Sequence, residues 1–167
     1  QCHVLDSAHK PIGIVSGISG PLWLTVKLKG MAGHAGSVPM PLRKDALLGA
    51  AEIVVALNEI ATQVPENPTV ATVGTMNVFP ASRNIIAEEV TFTIDLRDID
   101  LDRRNRYEKQ LFEKIESITK KHRLTYTITE DTNSAPRYCA DWIKTIIHSE
   151  CKALSLDSPE LMSGPFH

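Results

Sequence analysis

The chain has 167 residues, of which 43% are hydrophobic and 23% charged, and its formal net charge is −2. That length allows one domain with a full core plus a fragment of a second, and the charge balance excludes a basic nucleic-acid-binding surface. No apolar run reaches the roughly 20 residues of a membrane-spanning helix.

The first nineteen residues carry one brief strand-like run, Pro11-Ile12-Gly13-Ile14-Val15. A clean alternation follows from Pro21 to Lys29. Leu22, Leu24, Val26 and Leu28 face one way and Trp23, Thr25, Lys27 and Lys29 the other, the pattern of a half-buried strand. Next comes Gly30-Met31-Ala32-Gly33-His34-Ala35-Gly36-Ser37-Val38-Pro39, a histidine among three glycines. Glycine allows backbone angles and close approaches that a Cβ forbids, so this loop can push one imidazole out of the scaffold. Such a histidine can donate a hydrogen bond, stabilise developing negative charge or move a proton. A tight turn with an exposed histidine fits these local features as well.

Pro39 and Pro41 are expected to start a helix. Its apolar stripe runs Leu42, Ala46, Leu47, Ala50, Ile53, Val54, Leu57, Ile60 and Ala61, and the prolines at 65 and 68 stop it. Residues 69–79 read as a second strand, 80–84 as a turn and 85–97 as a third strand. Asp100 or Asp102 caps a second helix, with Leu101, Arg104, Tyr107, Leu111, Ile115, Ile118 and His122 along one side. The pairs Arg103-Arg104 and Lys120-Lys121 read as solvated faces of that helix. Leu124, Tyr126 and Ile128 alternate with threonines in a fourth strand.

This order, strand-helix-strand-strand-helix-strand, predicts an α+β fold: a ferredoxin-like βαββαβ sandwich, with a four-stranded antiparallel sheet and two helices on one face. The other sheet face, rich in Thr, Lys and Arg, is open to water or a partner. Residues 20–133 form this unit. Residues 1–19 and 134–167 are expected to be flanks of a second domain, the latter with a helix over 141–154 and a loop beginning at Ser163-Gly164. Both ends read as cut, so a piece of a longer polypeptide is expected.

Three cysteines, Cys2, Cys139 and Cys151, form no Cys-x-x-Cys pair. That argues against a disulfide framework or zinc cluster and for a reducing cytoplasm. The opening Gln1-Cys2-His3 lacks the order of a signal peptide.

Several side chains suit recognition. Arg97 lies on the sheet face away from the helices, where its planar fork suits a carboxylate; an ion pair with Asp95 or Asp98 accounts for it nearly as well. Asn84 offers a donor and an acceptor, or is an ordinary turn residue. Arg43, placed in the first turn of the helix, either pairs with an acid, crosses an interface or is solvated.

Taken together, Gly33-His34-Ala35-Gly36-Ser37-Val38-Pro39-Met40 with Arg43 and Asp45-Ala46-Leu47 resembles the lid loop of the amidase branch of dinuclear-metal aminoacylases and carboxypeptidases. Three more stretches fit in order: the segment after Gln1, Asn84-Ile85-Ile86 with Asp95-Leu96-Arg97, and Ser163-Gly164-Pro165-Phe166-His167. That branch holds N-carbamoyl-L-amino acid hydrolases, allantoate amidohydrolases and β-ureidopropionases.

The resemblance implies a full-length hydrolase with two divalent metal ions (manganese, cobalt, nickel or zinc), none of them held by this stretch alone. It implies a homodimer through the lid and an N-carbamoyl amino acid as substrate. It assigns catalysis to His34, reaching the partner subunit's site, and substrate binding to Asn84, Arg97 and Gln1. His167 becomes the last metal-binding histidine, while Gly33, Gly36 and Arg43 support the loop or the interface. Allantoate as substrate, or a stand-alone ferredoxin-like binding module, remains open on these motifs.

Overall fold

The computed structural model describes residues 3–164, apart from the His3 side chain. Gln1 and His167, two of the expected site residues, lie outside the described residues, as does Cys2. The elements are α1 (His3–Ser7), β1 (Ile14–Ile18), β2 (Gly20–Lys29), α2 (Ala46–Thr62), β3 (Val70–Phe79), β4 (Glu89–Asp98), α3 (Leu101–His122), β5 (Thr125–Asn133), β6 (Arg137–Tyr138), α4 (Asp141–Ala153) and β7 (Glu160–Ser163), with a 3-10 turn at Met40–Leu42.

The expected sandwich is present. Its four antiparallel strands lie in the order β3-β4-β2-β5. The alternation read from β2 becomes register: Leu22 pairs with Leu96, Leu24 with Ile94, Val26 with Phe92 and Leu28 with Val90. These eight residues are all buried, against Ile53, Leu57 and Ile60 of α2 and Tyr107, Leu111 and Ile115 of α3. At about 1.5–3 kcal/mol per fully buried large aliphatic or aromatic side chain, this one layer dominates what holds the unit together. The second sheet, β6-β1-β7, is small, and α4 packs against β1. Trp142 and Ile146 of α4 and its C-cap Leu154 stay exposed, and within the helix only Cys151 is buried.

Four expectations need correction. The first long helix starts at Ala46, not after Pro39 and Pro41. Those prolines open the 3-10 turn, and Asp45 is the true N-cap, its Oδ1 accepting from the backbone of Leu47 and Leu48 at 3.0 and 3.2 Å. Arg43 therefore precedes the helix. The third strand starts at Glu89 rather than Ile85, because the backbone of residues 84–86 is used to hold the histidine loop. Ser163, read as the start of a loop, closes β7, which runs parallel to β1.

The fourth correction concerns Arg104. It is not solvated but 1% exposed. Its Nη1 donates to the carbonyls of Gly20 at 3.0 Å and Ser134 at 2.6 Å, and Nη2 donates to Asn133 Oδ1. These are the two places where the chain passes between the sheets. A Cβ on Gly20 would lie 2.3 Å from the Ser134 carbonyl oxygen, so glycine is required by that close approach. The neighbour Arg103 is the paired one: with Thr69 Oγ1 and the Asp100 N–H it satisfies the fully buried Asp98 carboxylate.

Candidate functional site

Two groups of expected site residues sit at the two ends of the four-stranded sheet. At the first end, β2 runs out at Lys29, opposite Glu89, and leads into the histidine loop. Gly30 N–H donates to Glu88 O, Met31 N–H to Lys44 O, and Ile86 N–H to Gly33 O at 2.8 Å. His34 forms a single antiparallel bridge with Ile85, and Ala35 N–H donates to Asn84 O at 2.8 Å. The structure therefore brings His34 and Asn84 together, as neighbours across one backbone bridge. Arg43 ties the loop from below, Nε to Val38 O at 3.0 Å and Nη2 to Ala35 O. Among the described residues it pairs with no acid; its partners are carbonyls. Arg123, at the end of α3, holds the next stretch through Pro41 O and Arg43 O.

None of the described glycines has a positive φ, so close approach is what Gly33 and Gly36 supply. A Cβ on Gly33 would meet Val38 Cγ2 at 2.8 Å, and one on Gly36 would press on the His34 ring at 3.3 Å. The ring needs that room because Gly36 N–H donates to His34 Nδ1 at 3.1 Å. A nitrogen that accepts carries no proton, so in the neutral ring Nε2 bears the hydrogen. His34 is exposed, and among the described residues its Nε2 has no partner. Asn84 Oδ1 accepts from Ser82 Oγ at 2.9 Å, which leaves the side-chain NH2 of this exposed residue as its donor. This end presents two N–H donors to whatever lies beyond the loop.

At the second end stands Arg97, opposite Pro21 and Val70. Its Nε and Nη2 grip Asp95 at 2.8 and 2.7 Å, and Nη1 donates to Gly164 O at 3.0 Å. The Trp23 ring lies 5.8 Å from the guanidinium carbon, within cation–π range. Hydrogen bonding to Asp95 holds Arg97 above the usual arginine pKa, against the opposing effect of burial. Of the two acids weighed from the sequence, Asp95 is the partner, since i and i+2 share a sheet face while Asp98 points into the core. The sequence reading passed over Trp23. The signal was there: one large aromatic in an otherwise polar strand face.

Eight residues of strand separate the two ends, roughly 26 Å at 3.3 Å per residue. The structure does not bring His34 and Asn84 near Arg97 within one chain. Among the described residues, no group of three or more His, Cys, Asp or Glu is placed to hold a metal ion. The described side chains therefore do not form the metal centre that the resemblance implies.

Residues 16–123 match the model of the peptidase dimerisation domain. The chain belongs to that family. It is 44% identical over 163 residues to the N-carbamoyl-L-amino-acid amidohydrolase of Pseudomonas sp. (strain NS671), covering 98% of this chain and 39% of that protein. It is 40% identical over 117 residues to an allantoate deiminase of Arabidopsis thaliana, covering 60% of this chain and 22% of the relative. The solved structure of an amidase of the hydantoinase/carbamoylase family from Burkholderia multivorans superposes with a TM-score of 0.94 at 29% identity, over 98% of this chain and 40% of that one. The chain thus spans well under half the length of these relatives, and the dimerisation domain match covers β2 through α3 with part of β1.

Proposed function

We propose that this chain is the lid and dimerisation part, with catalytic-domain flanks at 1–19 and 134–167, of a hydrolase acting on N-carbamoyl-L-amino acids. The overall reaction is hydrolysis of the carbamoyl amide, one water converting the substrate to amino acid, ammonia and carbon dioxide. The 44% identity to a carbamoylase along almost the whole chain supports that substrate class. The metal ions implied by the resemblance, and the group that activates the water, are held outside the described residues.

The observation that carries the reading is the separation of the two donor groups. Arg97 donates to the carbonyl of Gly164, three positions before His167 in the sequence. It serves the site of its own chain and grips the substrate carboxylate. His34 and Asn84, at the far sheet end, serve the site of a second copy. There the His34 Nε2–H and the Asn84 amide donate to the oxygen on which charge develops.

A two-fold dimer delivers that exchange. The edge strand β3 carries no charged residue over its ten positions, whereas the opposite edge, β5, carries Glu130 and Asp131. An uncharged, open edge invites strand pairing. Beside it α2 exposes Leu47, Leu48 and Val55. Pairing β3 antiparallel with its own copy sets the Phe79 end of one protomer beside the Val70 end of the other. Phe79 opposes Glu89 at the histidine end, and Val70 opposes Arg97. The lid loop of one copy then faces the Arg97 end of its mate.

The test is turnover by the full-length protein. Release of amino acid from N-carbamoyl-L-amino acids, well above any action on allantoate, is the expected result. Preference for allantoate overturns the substrate assignment, and no hydrolysis of either overturns the enzyme reading.

A further inference from the structure

Arg97 has two forks, and they are used differently. The inner one, Nε with Nη2, is filled by both oxygens of Asp95. The outer one, Nη1 with Nη2, meets one backbone carbonyl, that of Gly164. The guanidinium also lies over Trp23, which sits opposite Asp95 across the β2–β4 pair. A bidentate carboxylate and a ring face together fix the plane and rotation of a group that otherwise turns freely about its long stem.

We infer that Asp95 and Trp23 are positioning residues for carboxylate recognition: they clamp Arg97 so that its outer fork is the edge offered to a ligand, and the Gly164 carbonyl marks where a ligand oxygen docks. The inference rests on the reading of Arg97 as the carboxylate grip. It runs against the simpler view of Asp95 as a competitor. A competing acid would have to leave before substrate bound, and its removal would improve binding. Here the two acids use different edges of one planar group, so both can be held at once. Asp95 weakens the grip slightly by its charge and strengthens it more by its geometry.

The experiment compares wild type with Asp95→Ala, Asp95→Asn, Trp23→Leu and Arg97→Lys in the full-length enzyme. The probes are N-carbamoyl-L-alanine and its primary amide, which lacks the carboxylate. The inference expects Asp95→Ala to raise KM for the acid about tenfold with kcat nearly unchanged, and to move KM for the amide less than about twofold. Trp23→Leu shifts the acid KM in the same direction by a few-fold. Asp95→Asn, which keeps an acceptor for Nε, recovers most of the loss.

A lower or unchanged acid KM in Asp95→Ala, with Arg97→Lys impaired on the acid alone, overturns the inference and leaves the reading of Arg97 standing. Equal losses on acid and amide in Asp95→Ala assign it a structural role and overturn the inference as well. If Arg97→Lys itself does not distinguish acid from amide, the reading of Arg97 fails and the inference falls with it.

Discussion

The backbone N–H of Gly36 donates to Nδ1 of His34 at 3.1 Å, and this one bond sets what the exposed imidazole can do. With Nδ1 accepting, the hydrogen of the neutral ring sits on Nε2. The histidine is thereby held as a hydrogen-bond donor, the state suited to a developing oxyanion.

That arrangement predicts the behaviour of His34→Ala in the full-length enzyme. The ring is exposed and covers no core, so melting temperature should stay near wild type. Loss of a donor to the oxyanion should lower kcat by roughly a hundredfold or more. Steady-state kinetics beside a thermal melt check both halves. Normal turnover removes His34 from the chemistry, and a collapsed melt makes it structural.

A second prediction concerns pH. Burial disfavours a charged Asp98, but the Arg103 guanidinium, the Thr69 hydroxyl and the Asp100 amide together outweigh it and hold the carboxyl below its usual range. A carboxyl depressed in the folded state adds stability that is complete above the unfolded-state pKa, near 4. That stability is lost as pH falls through the lower folded-state value. Asp98→Asn should cost about 3 kcal/mol at neutral pH, the loss expected from breaking a buried pair. The gap to wild type should narrow as the solution is made acidic. Denaturant titrations at neutral and low pH measure it; a gap independent of pH contradicts the assignment.

Arg104 gives a third. Its guanidinium satisfies carbonyls on both chain crossings, at Gly20 and at Ser134. Arg104→Leu keeps an apolar stem at the buried position but strands those carbonyls, at a net cost of about 2–4 kcal/mol. Hydrogen exchange should rise first at residues 18–21 and 133–136. Wild-type stability and protection in the leucine variant would show that the clamp contributes nothing.

Most of the sandwich was legible from the sequence because its strands alternate strictly. Leu22, Leu24, Val26 and Leu28 announce a buried face, and the stripe from Tyr107 to Ile118 announces the helix that covers it. Helix and strand starts were misplaced where tertiary contacts override local pattern. Pro39 and Pro41 suit a first turn, yet the chain must first fold around Arg43 before Asp45 can cap. Ile85 and Ile86 look like strand, yet their backbone is committed to the histidine loop. Helical spacing put Arg104 on the covered side with Tyr107 and Leu111, while its pairing with Arg103 suggested a solvated face, since charges on an amphipathic helix normally face water; only the crossing of two chain segments beneath it supplies enough carbonyls to bury it. At the site, residue types pointed to His34, Asn84 and Arg97, but nothing in their spacing told that strand length sets the first two far from the third.

The shared site is the central claim, and mixing two full-length variants tests it most directly. His34→Ala and Arg97→Ala homodimers should each be nearly inactive. After subunit exchange half of the dimers are hybrids. In each hybrid, one site combines the intact Arg97 of one chain with the intact His34 of the other. Activity should return to about one quarter of wild type, the fraction set by random pairing in a two-fold dimer. If the mixture stays as inactive as its two parents while exchange is verified by mass, His34 and Arg97 do not meet across the dimer and the account is wrong.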